Sequence, residues 1–471
     1  MGLNAMSDFP RFPPGFMFGA ATASYQIEGA AREDDRGPSI WDTYSHTPGL
    51  VAGGDTGDVA CDHYHRYPQD VALLRELGVG SYRFSIAWPR IVPDGTGPVN
   101  PKGLDFYSRL VDELLAAGIE PAATLYHWDL PQALETPSES GSAGRGWRVR
   151  GTAERFAEYT AVVAEHLADR VPRWITLNEP WCSAFLGYSV GRHAPGAREG
   201  RGALAAAHHL LVGHGLAVRA LREAGAREVG ITLNLDHNLP ATGSPADLAA
   251  VVRADTQHNL VWTEPLLAGR YPATEEETWG ELIKEQDFRR DGDLELISQP
   301  LDFLGINYYR PIVVADARYR EDDPTRRVAT DNRYEELRLP GVRHTAMDWP
   351  VVPAGLTDLL VRLKNRYGDA LPPVHITENG SAENEEVSPD GSVHDTERVA
   401  YLRDHLHALR AAMDAGVDVR GYYVWSLLDN FEWAFGYGKR FGIVRVDYET
   451  QRRTPKDSYH WYRAMIAAQR R

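Results

Sequence analysis

Arg173-Trp174-Ile175-Thr176-Leu177-Asn178-Glu179-Pro180 is a short apolar, β-branched run that stops abruptly in an amide and a carboxylate. A second run has the same form: Val374-His375-Ile376-Thr377-Glu378-Asn379-Gly380. Six more β-rich runs are spaced along the chain, at Phe16 to Ser24, Ser81 to Trp88, Glu120 to Asp129, Val229 to Leu235, Leu301 to Tyr309 and Val419 to Asn430. Long amphipathic stretches separate them, and that alternation is how a parallel sheet with crossover helices reads. Eight such units predict one closed α/β structure, a (β/α)8 TIM barrel with its site at the C-terminal face of the strands. The spacing predicts a helix over Gly103 to Ala117, with Leu104, Tyr107, Leu110, Val111, Leu114 and Leu115 as its apolar stripe and Gly118 ending it. Another is expected over Thr396 to Ala415, with Asp395 as N-cap, Val399, Leu402, Leu406, Leu409 and Met413 buried, and Gly416 as its stop.

The chain of 471 residues is 43% hydrophobic and 25% charged, which suits a large packed core and excludes disordered, collagenous and coiled-coil classes. A formal charge of −16 disfavours a nucleic-acid backbone or an anionic membrane surface as partner, and favours a neutral or cationic small molecule. Cys61 and Cys182 cannot make a disulfide framework and form no C-x-x-C pair. Met1 to Phe18 has no basic segment leading into an apolar one, and no run of 18 apolar residues occurs, so a cytoplasmic protein is expected. The whole of 1–471 is read as a single catalytic domain, with 1–15 a loose N-terminal segment. Glu135 to Arg145, Tyr319 to Arg338 and Glu383 to Gly391 read as loops inserted on the C-terminal face rather than as linkers. A homo-oligomer is compatible with the sequence but not deducible from it.

The strand ends carry Gln26, Arg83, His127, Trp128, Asn178, Glu179, Asn307, Tyr309, Glu378 and Trp425, and in a barrel these converge on one pocket. Taken singly, each also reads as a strand leaving for a polar loop. Glu179 and Glu378 have no local ion-pair partner and are candidates for the two carboxyls that glycoside hydrolysis requires, one neutral to protonate the leaving oxygen and one ionised. The alternative is a pair of network or surface glutamates. His63, His65, His208, His209 and His214 lack a third ligand at useful spacing, and nucleotide-binding glycine loops are absent, so neither metal nor cofactor is expected.

Thr176 to Pro180 and Ile376 to Gly380, together with Phe18 to Gly29, Tyr82 to Arg90, Leu125 to Pro131, Asn307 to Tyr309 and Trp425 to Trp433, closely resemble the family 1 glycoside hydrolases, the β-glucosidase family. The resemblance spans nearly the whole chain. It implies a retaining mechanism with Glu378 as nucleophile and Glu179 as acid/base, their carboxyls about 5 to 5.5 Å apart. Tyr309 and Arg83 are then candidates to support the Glu378 carboxylate. The resemblance further implies that Gln26, His127, Asn178, Glu432 and Trp433 hold glycone hydroxyls, that Trp425 is a stacking floor, and that Phe441 helps close the pocket. Trp128 and Asn307 belong to the same expected substrate-binding set, and Trp349 is expected in the leaving-group subsite. Glu179 is a true carboxylate, against thioglucoside cleavage, and Glu432-Trp433 stands where phospho-glycosidases carry Ser and Lys, so a neutral glycone is implied. Lys439 and Arg440 are expected to support the loop or pair with acids. Two departures from the family pattern, the insertion Thr136 to Arg145 and Asp348 in place of Gly, affect the expected aglycone side. A transglycosylase, a glycosidase of broader glycone range and a noncatalytic sugar-binding barrel are the competing readings.

Overall fold

All eight β-rich runs become strands of one barrel: β1 Met17–Ala21, β2 Ser81–Ser85, β3 Glu120–Tyr126, β4 Arg173–Asn178, β5 Glu228–Asn234, β6 Phe303–Asn307, β7 Val374–Asn379 and β8 Val419–Trp425. The computed structural model describes residues 9–136, 144–317, 328–330 and 332–470. The strands pair in parallel, each with the next in sequence, and β8 closes on β1 with Ala21 opposite Trp425. Ala21 is also opposite Arg83 on its other side. Nearly every strand residue is buried, because the barrel interior covers one face and helices cover the other. The runs overshoot the strands at their C-terminal ends. Ser24–Ile27, for example, is a helical turn rather than an extension of β1.

Register breaks fall near the C-terminal ends of the two strands that carry the glutamates, between Ile175 and Asn178 in β4 and between Ile376 and Glu378 in β7. A break there re-aims side chains that strict alternation would send elsewhere. It leaves Glu378 opposite Asn307 of β6.

The first expected helix is α1, Pro101–Ala116. It starts two residues early because Asn100 accepts a hydrogen bond from the Lys102 N–H and Pro101 occupies the first turn. Phe106, Tyr107, Leu110, Val111 and Leu114 are buried, each such side chain worth about 1.5–3 kcal/mol. Leu104 is half-buried, and Leu115 is 42% exposed, because one more step of about 100° past Leu114 turns it off the buried face. The second is α2, Thr396–Asp414. Asp395 does not cap it. Its carboxylate instead accepts from the backbone N–H and hydroxyl of Ser458 and pairs with Arg398, tying α2 to the last helix, α3, Asp457–Gln469. Of the expected stripe, Leu402, Leu406 and Leu409 are buried, while Val399 and Met413 are partly so.

Within the expected loose segment 1–15, residues 9–12 are held against α3. Phe9 packs edge-on to Trp461 at 5.8 Å, the Phe12 N–H donates to Gln469 Oε1 at 3.2 Å, and Gln469 Nε2 donates to the Pro10 carbonyl at 3.0 Å. Much of two expected loops, residues 137–143 of the Glu135–Arg145 segment and 319–327 and 331 of Tyr319–Arg338, lies outside the described residues. A small sheet of His237–Pro240, Pro311–Asp316 and Tyr334–Leu337, unmarked by the alternation, is built from the chain beyond β5 and β6. Among the described residues no helix is long and apolar enough to cross a membrane.

Candidate active site

Glu378, near the end of β7, is buried and held by two donors. Arg83 Nη1 donates to its Oε1 at 2.7 Å, and the Tyr309 hydroxyl donates to its Oε2 at 2.7 Å. Arg83 is mid-strand in β2, so its guanidinium rises inside the barrel, where Nη2 donates to Asn178 Oδ1 at 2.6 Å. Asn307 Nδ2 donates to the same Asn178 oxygen at 3.0 Å and to Glu179 Oε1 at 2.7 Å. An unbroken chain therefore runs from Tyr309 through Glu378, Arg83, Asn178 and Asn307 to Glu179. Glu179 lies one residue past β4 with φ of 43°, a left-handed conformation in which non-glycine residues store strain. Its N–H donates to the Thr232 carbonyl at 2.9 Å, which pins that conformation.

The two carboxyls differ in their electrostatics. Burial first, and then the negative charge of Glu378, push Glu179 up to about 8, so it carries a proton at neutral pH. Glu378 is also raised by burial, but the Arg83 charge and the hydrogen bonds from Tyr309 and Arg83 oppose that rise and favour its ionised form. One guanidinium cannot hold both carboxyls charged. The proton falls to the one it does not touch.

Asn178 also fixes the state of His127. Its Oδ1 already receives Arg83 and Asn307, so its amide nitrogen faces His127 Nε2, at 3.0 Å, and must donate there. His127 therefore carries its hydrogen on Nδ1, which is buried with no partner. Burial, and then the nearby Arg83, hold the ring well below the usual histidine range, so it is neutral. Gln26 spends its Nε2 on Asn430 Oδ1 at 3.0 Å and on the Phe431 carbonyl at 2.9 Å, leaving Oε1 buried and unpartnered. Glu432 Oε2 is likewise unpartnered, and burial followed by the charges of Glu378 and Glu179 raises Glu432 to about 8. A donor from His127, an acceptor from Gln26 and a protonated carboxyl from Glu432 thus lack mates in the folded protein, although such buried groups normally have them.

Aromatic rings surround these groups. His127 lies nearly parallel to Trp425 and to Trp433, with centroids 5.9 Å apart in each case, and Trp128 packs on Trp433 at 4.5 Å. Trp128 and Trp433 both have positive φ, 77° and 49°. On another side Tyr309, Trp349 and Phe441 form a triangle with centroid distances of 5.3, 6.0 and 6.0 Å. Hydroxyls and C–H faces alternate on a sugar ring, and this alternation of polar atoms and flat rings matches them.

A family model described as glycosyl hydrolase family 1 matches residues 9–471. The chain belongs to glycosyl hydrolase family 1. A thermostable β-glucosidase B of Thermobispora bispora is 52% identical over 97% of this chain and 90% of its own length. A bifunctional β-D-glucosidase/β-D-fucosidase of Bifidobacterium breve is 50% identical over 97% of this chain and 98% of its own. The structure of a family 1 β-glucosidase from Thermotoga maritima with isofagomine lactam superposes with a TM-score of 0.90 at 45% identity, covering 98% of this chain and all, 100%, of that one.

The expected side chains lie around this one pocket, and several of them are already engaged within the protein. Trp128 donates its indole N–H to the Asn178 carbonyl at 2.8 Å, so it backs the pocket wall and has no donor left for a ligand. Asn307 is equally committed: its amide serves Glu179 and Asn178, and its Oδ1 accepts from Thr377 at 2.8 Å, so it orients a carboxyl rather than a hydroxyl. Arg440 pairs with Asp429 at 2.6 Å, and Lys439 Nζ donates to the Ala346 carbonyl, so both cations are engaged by the loop and its acids. Asp348 has φ of 59°, the left-handed geometry that a glycine would favour, and its carboxylate pairs with Arg338 at 3.0 Å. His63 bonds Asp70, His208 bonds Asp293 and His214 bonds Thr176. Among the described residues no group of three or more metal-ligating side chains occurs. The sequence reading assigned no role to Asn430, which orients Gln26 from the segment after the neighbouring strand β8 and stands within the quoted run Trp425 to Trp433, or to Cys182, whose thiol donates to Glu179 Oε2 at 3.2 Å. The signal for Cys182 was its spacing, three residues after Glu179.

Proposed function

We propose that this chain is a retaining, exo-acting β-glucosidase that removes terminal non-reducing β-D-glucosyl residues from short oligosaccharides or aryl glucosides. The observation that carries the reading is the unequal treatment of two buried carboxyls on one hydrogen-bond chain, Glu378 stabilised as an anion and Glu179 kept protonated. In the first displacement Glu378 attacks the anomeric carbon, forming the glycosyl-enzyme ester, while the Glu179 proton passes to the departing oxygen. Esterification removes the Glu378 charge that kept Glu179 protonated. Glu179 then takes a proton from water, whose oxygen attacks the anomeric carbon and expels the Glu378 carboxylate.

Gln26, His127, Glu432 and the second amide hydrogen of Asn178 bind glycone hydroxyls, with Trp425 and Trp433 as flat walls; the unpartnered buried atoms support this assignment. Trp349, Phe441 and Tyr309 receive the leaving group. A neutral glycone is favoured because the engaged Lys439 and Arg440 offer no phosphate site, and the B. breve relative's printed activities support some tolerance for β-fucosides. Cellobiose-like fragments of cellulose are suitable substrates. Cytoplasmic hydrolysis is supported by two buried, unpaired thiols, Cys61 and Cys182. The chain acts as one catalytic unit, because both carboxyls are borne by strands of the same barrel.

The test is release of p-nitrophenol from the β-glucoside, β-galactoside, β-fucoside and 6-phospho-β-glucoside, with the first-formed anomer followed by NMR. Turnover of the neutral glucoside with β-glucose appearing first is expected, and Glu378→Ala is expected to be inactive until azide restores it as an α-glucosyl azide. Binding without turnover of any glycoside would instead establish a sugar-binding barrel. Alkyl glucosides as the main product in added alcohol would establish a transglycosylase.

A further inference from the structure

Cys182 touches the acid/base although no step of double displacement requires a thiol. Glu179 leaves β4 in the left-handed region, and Cys182–Gly187 follows as a π-helical turn, with the Cys182 N–H donating to the Glu179 carbonyl at 2.9 Å. Such turns are rare and concentrate at functional sites. This one brings Cys182 Sγ back beneath its own anchor, 3.2 Å from Glu179 Oε2, with both residues buried. Glu179 Oε1 is meanwhile committed to the amide of Asn307, a pure donor. The acid proton therefore belongs on Oε2, on the side of the sulfur. The S–H donates to that oxygen when Glu179 is ionised, and must turn away or accept once Oε2 is protonated.

We propose that Cys182 is a positioning residue for hydrolysis, its thiol fixing Oε2 of Glu179 and favouring the ionised form, so that it aids the second displacement and opposes the first. The proposal rests on Glu179 being the acid/base. The charged and titratable groups facing the pair are Glu378 of β7, Arg83 of β2, Tyr309 past β6, Glu432 past β8 and Asp236 past β5. Burial, the Glu179 charge, and then those of Glu378 and Asp236 hold the thiol well above the usual cysteine range. It therefore stays S–H through the working pH range and acts as a weak donor, not as a nucleophile.

The experiment measures kcat/KM for cellobiose from pH 5 to 10 with wild type, Cys182→Ala, Cys182→Ser and Glu179→Gln. The alkaline limb reports the proton of Glu179 in the free enzyme. Loss of the donor in Cys182→Ala should move that limb up by about half a pH unit. The stronger hydroxyl donor of Cys182→Ser, which nearly preserves the volume, should move it down. A space-filling role would give no such opposed shifts. An alkaline limb unmoved in both cysteine variants but abolished in Glu179→Gln overturns the proposal alone. A limb that survives in Glu179→Gln overturns the acid/base reading and the proposal with it.

Discussion

Strand β4 joins two unlike regions, for it begins at Arg173 and ends at Asn178, one residue before Glu179. At its start Arg173 bridges Glu120 at 2.8 Å and Glu228 at 2.7 Å, and also donates to the Tyr423 hydroxyl at 3.0 Å. Tyr423 passes the chain on to Ser81 at 3.0 Å. Ser81, Glu120, Arg173 and Glu228 are the first residues of β2, β3, β4 and β5, and with Tyr423 of β8 they are laced together across the barrel floor around a cation whose charge is met by acids. At the other end three buried carboxyls, Glu179, Glu378 and Glu432, lie close enough to raise one another, while the Arg83 guanidinium pairs with Glu378 alone among them, and burial makes that imbalance expensive. The floor contributes stability. The mouth holds protons and polar atoms that have no partner within the protein, and three of its residues have positive φ.

The widest separation between the two ends is expected at Glu378. Glu378→Gln should cut turnover of an aryl β-glucoside by on the order of 10⁵-fold while the fold melts as before; activity within tenfold of wild type would remove the mouth from the chemistry. Next comes Glu179→Gln, which should cost about 10²–10⁴-fold on cellobiose but far less on a glucoside whose leaving group needs no proton. Equal losses on both substrates would mean that Glu179 is not the acid. At the floor, Arg173→Ala should lower unfolding free energy by about 2 kcal/mol in urea titrations and leave kcat/KM nearly unchanged; a parallel loss of turnover would show that the two ends are not separable.

The most gradual effect concerns pH. Glu432 is raised from 4.5 to about 8 in the folded protein, so its protonated form contributes stability that is fully present below 4.5 and is lost as pH rises to about 8. Glu432→Gln should therefore gain on wild type as pH rises, by up to about 1.4 kcal/mol for each pH unit between pH 5 and 8.5. Melting curves at those two values, showing a constant difference, would mean that Glu432 is already ionised at the lower one.

The eight strands were legible because β-branched runs repeat with helical stretches between them, and the carboxyl pair because each glutamate stands where such a run stops. Reading Asp395 as a cap failed because its partner Ser458 is far away in the chain. Leu115 was misassigned because a stripe at three- and four-residue spacing does not say how wide the buried face is. That Trp128 and Asn307 spend their donors within the protein was not legible, since residue type shows what a side chain can donate and not to whom it has already donated.

What the sequence by itself determined is the barrel, and it marked Glu179 and Glu378 as the candidate pair, because these follow from local patterning and from motifs that travel intact. The resemblance already implied which glutamate is the acid/base, but the physical cause that leaves the proton on Glu179 arises only in the tertiary structure. Arg83, Asn178, Asn307 and Tyr309 come from different parts of the chain, and closure of the barrel sets a guanidinium against Glu378 and an uncharged amide and thiol against Glu179. Proton affinity depends on distance and burial, and neither exists until the strands have closed.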